Sequence, residues 1–165
     1  MIRSGGKDFS GLYIEPMTLK QKIHTRCCDI QDEKIRSLTK TLHELVESAE
    51  SDIKSSAGDK HETGRAMIQI EQENIGRQLN EAMVQKAILE KIDADSNSPE
   101  IIKGSLVKTN RGFLYLSIPL GKINLDSTVV FALSPQSPLG TKLMGLKAKA
   151  TAGMNGVNYI IESVQ

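Results

Sequence analysis

From Thr18 to about Ser55 no glycine or proline interrupts the chain. Apolar residues recur at Leu19, Ile23, Cys27, Ile30, Ile35, Leu38, Leu42, Leu45, Ala49 and Ile53. Steps of three to five residues predict one long amphipathic helix with a narrow, coiled-coil-like stripe. Pro16 precedes it, and Thr18 is placed to cap its first turn. Ser55-Ser56-Ala57-Gly58-Asp59 then breaks the period with turn chemistry. A second periodic stretch runs from about Lys60 to Ile92. Ile68, Ile75, Ala82 and Leu89 fall every seven residues, and Leu79 and Ile92 fill the seam. Gly64 and Gly76 weaken this helix by roughly 1 kcal/mol each against alanine, so it is expected to need a partner. Two helices of similar length joined by a short turn predict an antiparallel hairpin that buries one seam. At about 1.5 Å per residue this is an arm of roughly 50 Å.

The pattern changes after Ile92. Asp93 to Glu100 is polar, carries Pro99 and reads as a linker. Short β-prone runs follow at 104–108, 113–118, 127–133 and 157–164, with Thr109-Asn110-Arg111-Gly112 as a hairpin turn. Within 134–144, Ser137 as N-cap, Pro138 at the first helical position and Gly145 after the end predict a short helix. The fold class is therefore α+β, a long N-terminal helical hairpin followed by a small, mostly antiparallel β domain with one short helix. The expected division is a flexible leader over 1–16, a coiled-coil hairpin domain over 17–95 and a C-terminal domain over 96–165.

Charge follows the same division. Residues 1–95 carry 14 basic and 17 acidic side chains, and residues 96–165 carry 7 and 3, so the halves stand at −3 and +4 around a total of +1. That balance excludes a simple polycation for nucleic acid. The lysines and arginine of the first helix, including Lys34, Arg36 and Lys40, alternate with acids and suit a solvated face. With no Trp, three Phe and three Tyr, the core must be aliphatic and an aromatic-lined pocket is not expected. Phe113, Tyr115, Phe131 and Tyr159 lie in predicted strands, where core packing is the default. No stretch approaches the roughly 20 apolar residues of a membrane span. Adjacent Cys27 and Cys28 have neither disulfide nor metal-site spacing, and the leader lacks the apolar region of a secretory signal. A cytoplasmic protein with reduced cysteines is expected.

The turn between the helices carries the candidate chemistry, Gly58-Asp59-Lys60-His61-Glu62. Two carboxylates in the spacing DxxE can supply part of the oxygen shell of a hard cation such as Mg²⁺, the rest coming from water or phosphate. Alone they are too few for a tight site, so they would complete one supplied by another molecule. Asp59 and Glu62 also stand at the offset of a capping box, where acids are favoured in any case. Both roles stay open on spacing alone. His61 between them is a proton shuttle or an exposed loop side chain.

These features resemble the Gre family of bacterial transcript cleavage factors over roughly residues 17–165. Gly58-Asp59-x-x-Glu62 is similar to the family's GD-x-x-E at the hairpin tip. Ser134-Pro135-Gln136-Ser137-Pro138-Leu139-Gly140 with Leu143-Met144-Gly145 resembles its SPxSPLG…LLG segment. Tyr159-Ile160-Ile161-Glu162-Ser163-Val164 resembles its YEI-x-x-I ending. The resemblance implies an FKBP-like second domain that binds RNA polymerase and a hairpin that enters the polymerase's secondary channel. The tip acids would there help hold a second Mg²⁺, so that the polymerase hydrolyses backtracked RNA at its 3′ end. Carried over, Asp59 and Glu62 are the metal-assisting carboxylates, and Ser134, Pro135, Ser137, Pro138, Leu139 and Gly140 the partner-binding segment. Some basic residues of the arm would touch RNA. The factor is an accessory rather than an enzyme, a monomer, with no tightly bound cofactor and no membrane.

The chain departs from the family in two places. Thr63-Gly64-Arg65-Ala66 follows Glu62 where the family has NAEY, and the family's GK-x-x-GD turn is absent after Gly145. A non-catalytic channel-binding modulator is therefore an alternative, and a structural coiled-coil protein paired between chains a third. Prolyl isomerase activity is not expected, because the aromatics are assigned to the core.

Overall fold

The computed structural model describes residues 15–55 and 60–165. Helices α1 (Leu19–Ser55) and α2 (Lys60–Glu90) come first. Strands β1 (Leu106–Thr109), β2 (Gly112–Leu116), β3 (Gly121–Leu125) and β4 (Thr128–Leu133) follow, then helix α3 (Pro138–Leu143) and strands β5 (Thr151–Met154) and β6 (Val157–Val164). The fold is α+β, as the change of period after Ile92 predicts. The leader, apart from Glu15 and Pro16, and the connection at 56–59 lie outside the described residues. The chain divides into two compact units. A hairpin unit spans Cys27–Lys91, and a sheet unit combines the described residues up to Arg26 with Ile92–Gln165.

In the hairpin unit α1 and α2 pair antiparallel. Gln31 Nε2 donates to the Ala82 carbonyl at 3.0 Å and to Gln85 Oε1 at 3.2 Å, and Lys86 meets Asp32 at 2.5 Å. The seam is the stripe the sequence predicts. Cys27, Ile75, Ala82 and Leu89 are buried, while Leu38, Leu42, Leu45, Ile68 and Leu79 are half-buried. Two helices enclose only one seam, so Val46, Ile53, Met67 and Ile70 stay exposed. Gln31 is fully enclosed, with its Oε1 lacking a partner among the described residues. A buried amide of this kind fixes which turn of one helix faces which turn of the other. Gly76 contributes nothing comparable, since a Cβ built on it meets no atom within 4 Å. Gly76→Ala is expected to stabilise the full chain by about 1 kcal/mol, read as a higher urea midpoint by circular dichroism.

The sheet unit holds one six-stranded sheet in the order β3-β4-β2-β1-β6-β5. β2 and β4 run parallel and the other neighbours antiparallel. The predicted turn joins β1 to β2, with Thr109 opposite Gly112, whose φ of +107° suits glycine. Val107, Leu114, Leu116, Leu133 and Ile161 form a core with Leu139 and Leu143 of α3. β3 and β5 are strands the hydrophobic pattern does not announce. Each is an edge strand that encloses a single side chain, Ile123 or Ala152, so neither shows an apolar alternation.

The first turns of α1 belong to this unit. Thr18 caps the helix reciprocally: its Oγ1 accepts from the Gln21 N–H at 3.2 Å, and its own N–H donates to Gln21 Oε1 at 2.7 Å. The Lys20 ammonium donates to the Ser96 carbonyl at 2.5 Å, and Gln21 bonds Asp95, tying residues 93–96 to the helix. His24 Nδ1 lies 2.8 Å from the hydroxyl of the fully buried Tyr115.

Burial, with the Lys20 charge adding to it, holds the His24 imidazole below its ordinary value of 6.5. The unfolded chain then takes up the proton more readily than the folded one. Stability is full above pH 6.5 and falls as pH drops through that value toward the lower folded pKa. The chain is expected to melt lower at about pH 5.5 than at about pH 7.5. His24→Gln, which does not titrate, should narrow the gap in melting temperature; an unchanged gap removes His24 as its source.

Candidate functional site

Because α2 begins at Lys60, Glu62 falls in its first turn, with an exposed side chain. Asp59, the other half of the expected pair, lies outside the described residues. The unpaired N–H groups and dipole of a helix N-terminus favour a carboxylate there, so the position of Glu62 suits capping and metal assistance alike. Thr63, Gly64 and Arg65 are exposed after it. Arg65, three residues on, shares its side of the helix. Among the described residues no group of three His, Cys, Asp or Glu side chains is placed to hold a metal.

The second candidate segment, 134–140, is built around α3. Ser137 is its N-cap: Ser137 Oγ accepts from the Gly140 N–H at 3.0 Å and donates to the Ser134 carbonyl at 2.7 Å. The Ser137 N–H donates to the same carbonyl at 3.0 Å. Ser134 Oγ in turn accepts from the Gln136 N–H at 3.1 Å. Gly140 passes so close beneath this turn that a Cβ would stand 2.1 Å from the Ser134 oxygen. Pro135, Leu139 and Gly140 are buried and Ser134 and Ser137 half-buried, which leaves Pro138 as the exposed member of the six. The motif therefore specifies a tight capped turn, and the surface it presents is the one that this turn shapes.

That surface is the wall of a groove of about 610 Å³. Ser137, Pro138 and Leu139 form one side, and Leu114, Val129, Phe131 and Leu133 the sheet side. Met154 and Tyr159 also line it, with Arg111 the one charged residue. Val129, Phe131 and Leu133 alternate onto one face of β4. α3 has only six residues and encloses Leu133, leaving Val129 and Phe131 48 % and 51 % exposed. Of the four aromatics assigned to the core, only Tyr115 is fully enclosed. Phe131 faces solvent, and Phe113 and Tyr159 are half-buried beside it. The aromatic-lined groove is thus a correction to the compositional expectation. Local sequence does not reveal that the covering helix stops short.

Cys27 and Cys28 are not joined by a disulfide. Burial pushes the Cys28 thiol up, and Asp32 and Asp29 push it further, which leaves it a poor nucleophile. No described helix is long and apolar enough to cross a membrane.

No protein-family model matches the chain, and no curated protein matches it. Among solved structures it is similar to the crystal structure of GreA factor homolog 1 (Gfh1) protein of Thermus thermophilus. The identity is 16 %, covering 87 % of this chain and 93 % of that one, with a TM-score of 0.31. A structure of the transcription factor Gfh1 is similar at 17 % identity, covering 87 % and 91 %, with a TM-score of 0.30. The likeness is a loose one of fold alone.

Proposed function

We propose that this chain is a Gre-like transcription factor that binds RNA polymerase and stimulates the polymerase's own cleavage of backtracked RNA. The observation that carries the reading is the exposed Glu62 in the first turn of α2, at the connection of two long paired helices. Asp59 and Glu62 would reach the polymerase's active centre through its secondary channel, near the RNA 3′ end. The donor set fits a hard cation shared with the polymerase: carboxylate oxygens, too few for a tight site in the free chain. A Mg²⁺ ion held there would stabilise charge on the attacking or leaving oxygen of the phosphodiester. The chain itself is no enzyme in this reading. It works as a monomer in the cytoplasm and docks through the turn of Ser134, Pro135, Ser137, Pro138, Leu139 and Gly140 and the groove beside it.

A second reading, a channel-binding modulator without cleavage, is favoured by Arg65, whose charge lies on the side of α2 that Glu62 occupies. Halted polymerase complexes carrying backtracked RNA separate the two. Adding the full chain with Mg²⁺ is expected to release short 3′ RNA fragments above the level of polymerase alone. Binding without release selects the modulator, and absence of both overturns the proposal.

A further inference from the structure

The groove beside α3 is apolar inside and basic at its edge. Val129 and Phe131 are each about half exposed. They stand two positions apart on β4, roughly 7 Å along one face at about 3.3 Å per strand residue. Three cations surround this pair. Arg111 lines the groove, and Phe113 beside Val130 in the β2–β4 register sets it at the Val129 end. Lys122 stands opposite Phe131 in the β3–β4 register and so on the same face. Lys142 reaches from α3 to the Gly153 carbonyl at 2.7 Å, next to Met154 in the groove wall. No acidic side chain lines the groove. The acids of the strands and their flanks are engaged or set aside: Glu162 meets Lys108 at 3.5 Å, Glu100 meets Lys147 at 3.2 Å, and Asp126 lies in the β3–β4 turn.

We infer that this groove takes an acidic, extended peptide segment of a partner protein. Two bulky apolar side chains at alternate positions of that segment sit on Val129 and Phe131, and its carboxylates turn to Arg111, Lys122 and Lys142. The inference rests on the docking role proposed above and names the chemistry of what docks. The apolar seat supplies the affinity, because both positions lose water only when they are covered. The cations select the partner: a basic segment meets like charge, and an acidic one is drawn in. A single strand of nucleic acid fits less well. It brings a phosphate with every nucleotide and stacks its bases on successive aromatic faces. Here Phe131 is the exposed aromatic, and Phe113 and Tyr159 are half-buried. A second copy of the chain fits worse still, since a two-fold pairing of grooves sets the same cations against each other.

The test uses the full chain and the fluorescein-labelled peptide Glu-Glu-Phe-Asp-Leu-Asp-Glu, read by fluorescence anisotropy. The peptide is expected to bind. Exchanging its acids for lysine, or its Phe and Leu for serine, should each weaken binding by about tenfold or more. Phe131→Glu in the chain should do the same, and because Phe131 is exposed this variant should keep its circular dichroism. A second arm depends on charge alone. Arg111→Glu with Lys122→Glu should weaken the acidic peptide and bring the lysine-exchanged peptide into the groove. Absence of binding, or binding indifferent to these substitutions, overturns the inference. So does tighter, Phe131-dependent binding of a labelled oligouridine, or a Phe131-dependent dimer by light scattering. No polymerase is present, so failure here leaves the cleavage assay as it stands, and failure of cleavage leaves this binding as it stands.

Discussion

Gly140→Ala is expected to cost the chain about 3 kcal/mol or more. For a unit of this size that is a fall of roughly 12 °C or more in melting temperature. The added Cβ would lie 2.1 Å from the Ser134 oxygen and 2.9 Å from the Pro135 carbonyl carbon and oxygen. None of these atoms is the yielding end of a side chain. The Ser134 carbonyl holds the N–H and the hydroxyl of Ser137, so moving it loosens the cap of α3. The opposite shift displaces Gly140, whose carbonyl accepts from the Met144 N–H at 3.0 Å. Either movement pulls Leu139 and Leu143 from the core they share with Leu114 and Ile161. A thermal melt reads the result directly, and an alanine variant that melts with the parent would show that the turn has room to relax. Gly76→Ala, with open space around its Cβ, is the control of opposite sign.

Asp59→Ala combined with Glu62→Ala is expected to lower stimulated cleavage of backtracked RNA by roughly a hundredfold, the scale for groups that stabilise a charged transition state. Affinity for the polymerase should stay nearly constant, because the proposed docking surface around Pro138 is built by other residues. Measuring release and binding in the same complexes separates chemistry from delivery. If the double variant releases RNA as fast as the parent, the acids act as helix caps and nothing more. Arg65→Ala offers a graded companion. Removing a positive charge from the side of the helix that Glu62 occupies should raise stimulation if cleavage is the function.

The long elements were legible because their chemistry is local. The period from Leu19 onward, Thr18 after Pro16, and Ser137 with Pro138 each place an element end within a residue or two of where it stands. Edge strands were not. Gly121–Leu125 and Thr151–Met154 enclose one side chain apiece, and their pairing is set by neighbours distant in sequence. The same distance hid the groove. Whether Phe131 is covered depends on how far α3 extends over β4, and nothing around Phe131 encodes that. Of the candidate site, the first-turn place of Glu62 could be read from a turn followed by a periodic run. The segment 134–140 was recognisable as special, but its residues proved to serve the turn first. Gly140 and Leu139 are internal, and Pro138 carries the contact with solvent.

The sheet unit is assembled from two stretches of chain separated by Cys27–Lys91, which has a consequence for the route by which it forms. Joining distant stretches costs loop-closure entropy that grows with the logarithm of the intervening length. Pairing of the helices relies on distant contacts, since Gln31 meets Ala82, whereas β1–β2, β3–β4 and β5–β6 each join across a short turn. All six strands lie within 106–164, so only the docking of the first turns of α1 on the sheet requires that closure. Refolding of the sheet therefore does not wait for the helices: a substitution in their seam such as Leu89→Ala should leave the rate at which β structure appears unchanged.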